Sequence, residues 1–352
     1  MKKINKKDSA VSRREFIGAS LTLAAGIAMG SKPVLGAPAF LRYLGQPNSM
    51  INGVQVGTIT YSYRDMPDQS AEATLKYIID SGISAVELMG DPAESFAGIP
   101  QNPVDRRAYF ALMTKLRNKE ELTDDEKKNM NDMRAKMDDY GKQVAKWRST
   151  APMGKFSQLK KMFDDAGVKI YAWKPDAFGK RNTDAEIDYG FKVAKMLGAG
   201  HVTTEHPGDD AWTKKLGNFA TKHKIFMAYH GHLQQTPTLW DTALSQSEYN
   251  AINMDLGHFV AAGNTDPLKF ISDKHDRIKS MHLKDRKNKQ HGQDNLPWGQ
   301  GDTPLTQALQ LIRDKKYAFP GTIELEYDIP SGSDAIKEVA NCLEYCRKAL
   351  QG

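Results

Sequence analysis

The chain has 352 residues, with 49 Lys and Arg against 43 Asp and Glu and a formal net charge of +6. Its 40% hydrophobic and 26% charged residues are globular proportions, which exclude a collagen-like, coiled-coil or wholly disordered chain. The basic excess is local: residues 1–37 hold seven basic and two acidic residues, and the remaining 42 against 41 leave only +1, so nucleic-acid binding loses its electrostatic support.

Those first 37 residues have the order of an export signal: a charged start, SRREFIGAS over 12–20, an apolar run from Leu21 to Met29, and the small-residue patch VLGAPA over 34–39. Arg13 and Arg14, followed by Phe16 and Ile17, resemble a twin-arginine signal. This predicts the twin-arginine export machinery as a partner, cleavage near Ala37 or Ala39, and a periplasmic product. Phe16–Met29 is 14 residues interrupted by Gly18 and Gly26, short of the ~20 apolar residues of a membrane span. Residues 38–53 read as a linker. Twin-arginine export carries folded proteins, which suits a cofactor loaded in the cytoplasm.

From residue 54 onward, eight short apolar or β-branched runs alternate with helical patterns, as in βα units around a parallel sheet. The runs are 54–63, 84–90, 168–175, 201–207, 225–232, 252–258, 278–285 and 321–327. Helical segments include 71–82, 156–167, 185–200 and 303–316, several of them closing on Gly. Eight such units predict an α/β fold of the (β/α)8 TIM-barrel type over 54–350. No Gly-rich phosphate fingerprint follows the first strand, which lowers a Rossmann alternative. Residues 91–150 interrupt the period after strand two as a helical insertion whose second half is strongly charged. A cover for the barrel mouth, a contact in a homo-oligomer and a solvated helix are its three expected roles. Cys342 and Cys346, four apart in a helical pattern, read as two small, partly buried thiols rather than a disulfide.

All nine histidines fall between His201 and His291, and His206, His230, His232, His258 and His282 sit at or just beyond the C-terminal ends of predicted strands, the catalytic face of a barrel. Glu205, Asp255, Asp285, Glu324 and Glu326 are placed in the same way. His230, Asp255, His282 and Glu324 fall one each on strands five to eight, separated by 25, 27 and 42 residues, so their side chains can meet around one ion. Imidazole with carboxylate suits Zn, Mn, Fe, Co or Ni rather than Ca. Strand period two puts His232 on the same face as His230, leaving both open as the ligand. Glu205 is open as a ligand, a general base or the partner of a nearby Lys. Lys174 is open as an oxyanion-stabilising group or a solvated loop lysine, and Glu87 is placed to hold substrate hydroxyls or brace a ligand. Tyr61, Trp173, Trp212 and Trp298 are candidate sugar-stacking surfaces, with simple packing as the alternative.

YHGH (229–232), MDLGH (254–258), MHLKDR (281–286), WGQGD (298–302) and TIELEY (322–327), in this order and spacing, resemble the xylose isomerase-like TIM-barrel superfamily, the sugar phosphate isomerase/epimerase group. The resemblance implies Asp255, His282 and Glu324 as metal ligands, His258 as a substrate contact, and Arg286 and Lys284 as basic substrate-binding positions. It aligns His230 with a Glu that serves epimerases as ligand and as acid/base. The departure disfavours two-carboxylate epimerisation and tilts the expectation toward elimination. The implied function is isomerisation, epimerisation, or dehydratase or lyase chemistry on a keto sugar or cyclitol with a divalent ion (Mn, Zn, Co, Fe or Mg). In that scheme Glu205, Glu324 and Lys174 are catalytic, and Glu87, His232, His258, Lys284, Arg286 and Trp298 meet the substrate. An exported non-catalytic sugar-binding barrel and an apurinic endonuclease-like hydrolase are the competing classes.

Overall fold

The computed structural model describes residues 46–352; the expected export signal, 1–37, and the first part of the linker, 38–53, lie outside the described residues. Eight parallel strands form the core: β1 (Val54–Ile59), β2 (Ala85–Met89), β3 (Lys169–Lys174), β4 (His201–Glu205), β5 (Phe226–His230), β6 (Asn250–Asp255), β7 (Ile278–Leu283) and β8 (Gly321–Ile323). Each pairs with the next, and β1 pairs with both β2 and β8, which closes the sheet into a barrel. The helices are α1 (Ala71–Asp80), α2 (Gly90–Ala97), α3 (Arg106–Arg117), α4 (Asp124–Ser149), α5 (Met153–Asp165), α6 (Asp184–Leu197), α7 (Asp210–His223), α8 (Asp241–Gln246), α9 (Leu256–Ala261), α10 (Pro267–Lys274), α11 (Leu305–Lys315) and α12 (Ala335–Gln351). Among the described residues no helix is long and apolar enough to cross a membrane.

Strand period two sorts the side chains. Met227, Tyr229, Ile252, Met254, Met281 and Leu283 enter the hydrophobic layer beneath the helices. The alternate residues His230, Asn253 and Ser280 bond to one another across the barrel interior, and His282 lies beside Asn253, its Nε2 3.4 Å from Asn253 Nδ2. The same alternation overturns one expectation: with Lys174 at the mouth, Trp173 points outward. It is fully buried against Phe156 and Tyr189, with ring centroids 6.3 and 6.1 Å away, and is no sugar platform. Strand six stops at Asp255 rather than running to 258, because the Asp255 carboxylate accepts the His258 N–H at 2.7 Å and starts α9.

The insertion between β2 and β3 contains α3 and the long α4, whose start is fixed by a capping box between Thr123 and Glu126. Leu112, Leu122 and Met130 form a small core of their own there. Near the end of α4, Arg148 ties the insertion to the barrel. It is ion-paired with Glu94 of α2 at 3.0 Å and Glu186 of α6 at 3.1 Å, and donates to the Asp176 carbonyl at 2.9 Å. All three charged side chains are buried, so removing the cation leaves two carboxylates without their partner. Arg148→Ala is therefore expected to destabilise the fold by about 3–5 kcal/mol. Urea unfolding monitored by circular dichroism measures this, and a loss under 1 kcal/mol contradicts it. Cys342 and Cys346 are both buried and free, consistent with their places on α12.

Candidate metal centre at the barrel mouth

The C-terminal ends of β5, β6, β7 and β8 bring His230, Asp255, His282 and Glu324 together, one donor atom from each lying within 4.8 Å of the other three. All four side chains are buried. Asp255 divides its carboxylate: Oδ1 caps α9, while Oδ2 has no hydrogen-bond partner and lies 3.8 Å from His230 Nε2 and 3.0 Å from Lys284 Nζ. His282 Nδ1 is 2.7 Å from Glu324 Oε2, and its Nε2 is 2.9 Å from Glu87 Oε2. A buried carboxylate oxygen without a hydrogen bond, facing two imidazoles and a second carboxylate, is the donor set a divalent transition ion takes. The residues fit such an ion. His230 is the strand-five member of this group, whereas His232 belongs with Glu205 and His230 in a second, more exposed cluster.

Charge is distributed unevenly across the site. Burial pushes His230 down to about 3, helped by Lys174, so its ring is neutral and keeps a lone pair. Burial also opposes charge on His282, but Glu324 and Glu87 reverse this and drive it up to about 10. Glu87 in turn is brought down to about 2 against its burial, chiefly by His282. Lys284 is held as an ammonium, against its own burial, by Asp255, Glu324 and Glu326; its Nζ lies 2.7 Å from Glu324 Oε2 and 2.6 Å from Glu326 Oε2.

At the rim, Glu205 bridges Lys174 at 2.8 Å and His232 at 3.0 Å. Its burial is outweighed by the hydrogen bond with His232 and by the Lys174 ammonium, which hold the carboxyl well below the usual range. Donating a hydrogen bond to Glu205 raises His232, whose ring stacks on His258 with centroids 4.6 Å apart. Arg286 donates to His258 Nδ1 at 2.6 Å and to the Gln293 carbonyl at 3.1 and 2.6 Å. Because Arg only donates, a neutral His258 carries its proton on Nε2. Burial, reinforced by Lys284 and Arg286, keeps it neutral, down to about 2.

The other expected contacts are placed less openly. Glu87 is fully buried, accepting from Thr203 at 2.6 Å, Asn253 at 3.2 Å and His282, which is the geometry of a ligand brace rather than of a group open to substrate hydroxyls. Trp298 packs edge-on against Tyr345 of α12, centroids 5.6 Å apart. Its WGQGD segment folds back so that the N–H groups of Gly299, Gly301 and Thr303 cradle the Asp285 carboxylate at 2.7, 2.9 and 3.2 Å. Arg286 and Lys284 are both buried and committed to protein partners. Asn253, Ser280 and His201, which line the interior below the ligands, carry no signal in the sequence beyond their inward strand phase.

Two of these interior histidines predict acid lability. His201 is lowered by burial to about 4, and His230 to about 3, both below the ~6.5 of an unfolded histidine. Between about pH 6.5 and 4 the unfolded chain therefore binds protons that the folded one refuses, and stability falls with pH by about 1.4 kcal/mol per unit for each histidine. His282, protonated in both states in that window, does not offset the loss. Urea unfolding of metal-free protein at pH 6, 5.5 and 5 reads the slope; a flat profile contradicts it.

The fold and site define a class: a closed (β/α)8 barrel whose C-terminal mouth gathers a buried His/Asp/Glu cluster beside a buried lysine. The chain belongs to the xylose isomerase-like TIM barrel family, whose model matches residues 108–346. Solved structures similar to it include a sugar phosphate isomerase/epimerase from Parabacteroides distasonis, at 17% identity over 83% of this chain and 93% of that one, TM-score 0.51. The probable 3-DHS dehydratase AsbF from Bacillus anthracis matches at 13% identity, 82% and 97% coverage and TM-score 0.55. The 3-keto-D-glucoside 4-epimerase YcjR from E. coli matches at 10% identity, 84% and 99% coverage and TM-score 0.52. At these identities the likeness is one of fold. No curated protein gives a significant match.

Proposed function

We propose that the protein is a divalent-metal-dependent enzyme that removes the proton next to the carbonyl of a keto sugar or cyclitol, leading to isomerisation, epimerisation or elimination. The observation that carries this reading is the buried His230, Asp255, His282 and Glu324 set, whose Asp255 Oδ2 makes no hydrogen bond and has only the Lys284 ammonium at 3.0 Å as a counter-charge. Bound there, a divalent ion supplies Lewis acidity, polarising a carbonyl oxygen and making the neighbouring carbon-bound proton more acidic. The names of the similar structures, a sugar phosphate isomerase/epimerase, a dehydratase and a keto-glucoside epimerase, support chemistry of this general kind.

The chain's own residues divide the remaining work. Lys174 and His232 hold Glu205 at the rim, where this carboxylate, with His232 hydrogen-bonded to it, accepts the carbon-bound proton. His258, neutral and carrying its proton on Nε2, donates toward a substrate oxygen. Lys284 supplies a fixed positive charge beside developing oxyanion character. His230 in place of a second carboxylate on β5 favours elimination over two-base epimerisation. The leader pattern around Arg13 and Arg14 supports a periplasmic location, tested by Arg13→Lys/Arg14→Lys retention of the protein in the cytoplasm.

The deciding experiment incubates candidate keto sugars with the protein in deuterated buffer, with and without added Mn2+ or Co2+. Metal-dependent deuterium at the α carbon is expected, and product masses lacking water or an aglycone identify the elimination branch. Exchange absent for every keto sugar, in a protein that takes up no divalent ion, sinks the proposal.

A further inference from the structure

Below the candidate ligands lies a hydrogen-bonded unit that the proposed chemistry does not use. The Asn253 side chain accepts from His230 Nδ1 at 2.7 Å through Oδ1, and its Nδ2 donates to Glu87 Oε2 at 3.2 Å and to Ser280 Oγ at 2.8 Å. Glu87 Oε1 accepts from the Thr203 hydroxyl at 2.6 Å, and Oε2 also faces His282 Nε2 at 2.9 Å. Ser280 Oγ continues to His201 Nε2 at 3.0 Å. Asn253 and Glu87 are both fully buried, and each sits at a break in strand register: Val86/Glu87 in the β2–β3 ladder and Ile252/Asn253 in the β6–β7 ladder. Such irregularities re-aim side chains, and these two aim an amide and a carboxylate at each other from opposite sides of the barrel.

Donor and acceptor roles in this unit leave little freedom. The Glu87 carboxylate only accepts, so Asn253 must turn its NH2 toward it and its oxygen toward His230. An oxygen at that place requires the His230 proton on Nδ1 and leaves the Nε2 lone pair toward Asp255 Oδ2. The same carboxylate takes the Nε2 proton of His282, so Nδ1, whose own proton faces Glu324 Oε2 in the metal-free protein, is the nitrogen that would be freed for an ion. The two imidazoles thus offer opposite ring nitrogens to one point. We propose that Asn253, oriented by Glu87, is a positioning residue that sets the tautomer of His230 and thereby completes the cation site. This rests on the metal-dependent reading, but the tautomer is observable without metal.

The test uses full-length, metal-free protein labelled with 15N-histidine, with His230 assigned through His230→Gln. Long-range 1H–15N spectra at neutral pH are expected to show His230 neutral with its proton on Nδ1. In Asn253→Leu the proton moves to Nε2, where Asp255 Oδ2 is 3.8 Å away, and Co2+ binding, followed by its visible absorption, weakens about 10–100-fold, as for other groups that orient metal-bound histidines. Glu87→Gln can keep an oxygen toward Asn253 and His282 while its amide NH2 turns to Thr203, and is expected to retain the wild-type tautomer. A wild-type His230 protonated on Nε2 overturns the inference by itself, even where Asn253→Leu does not fold. So does a folded Asn253→Leu whose tautomer or Co2+ affinity stays within threefold of wild type. If wild type binds no Co2+, the metal-dependent reading fails, and the wild-type tautomer alone decides this one.

Discussion

Glu324→Gln is expected to reduce α-proton exchange by about 10³-fold, and the loss follows from what one oxygen does. Glu324 Oε2 is 2.7 Å from His282 Nδ1 and 2.7 Å from Lys284 Nζ, and it contributes one of the two carboxylate charges in the four-donor set. An amide of the same shape keeps the volume but removes that charge. Divalent-ion affinity is therefore expected to fall about 100-fold, or ~2.7 kcal/mol. In the metal-free protein the same change leaves two buried cations short of a counter-charge, which costs about 3 kcal/mol of folding stability. Exchange rates measured at saturating Mn2+ separate the chemical loss from the binding loss. Wild-type exchange in a folded Glu324→Gln removes Glu324 from the site.

The sequence discloses this site to the depth that strand phase and spacing reach. His230, Asp255, His282 and Glu324 were legible because each stands at the end of its own strand, and a barrel carries strand ends to one rim. Asp255 was legible as a candidate ligand but not as a helix cap, since capping depends on where the following turn begins, and MDLGH reads equally well as continuing strand. Phase also tells inward from outward, which makes Trp173 an outward residue once Lys174 is fixed at the mouth. What phase cannot tell is which inward polar groups find one another across the barrel. Asn253, Thr203 and Ser280 look like ordinary strand residues, and only the closed sheet shows them meeting Glu87 and His201. For the same reason Lys284 and Arg286 read as basic positions for substrate. The sequence shows their charge, not the buried carboxylates, imidazole and carbonyl that occupy them.

Lys284→Met is expected to move metal affinity in the opposite direction from Glu324→Gln. The ammonium lies 3.0 Å from Asp255 Oδ2 and 2.7 Å from Glu324 Oε2, so it neutralises two of the oxygens a divalent ion would use. Its place is built in: a Cβ on Gly257 would stand 2.4 Å from Lys284 Cγ, so only glycine lets the lysine lie there. Removing the ammonium leaves Asp255, Glu324 and Glu326 facing one another without their cation. Metal-free Lys284→Met should lose about 3–5 kcal/mol of stability. A divalent ion then meets a more negative site with no ammonium competing for those oxygens, and its affinity should rise at least about tenfold, or ~1.4 kcal/mol. Metal binding to the folded state alone returns stability as the free ion exceeds Kd, about 2.7 kcal/mol at 100 times Kd. The melting temperature of Lys284→Met should therefore climb with added Mn2+ or Co2+ by more than that of wild type, whereas Glu324→Gln should scarcely respond. A Lys284→Met protein that stays unstable at saturating ion would mean that lysine and ion do not share those oxygens, and that Lys284 serves the barrel mouth only as a structural counter-charge.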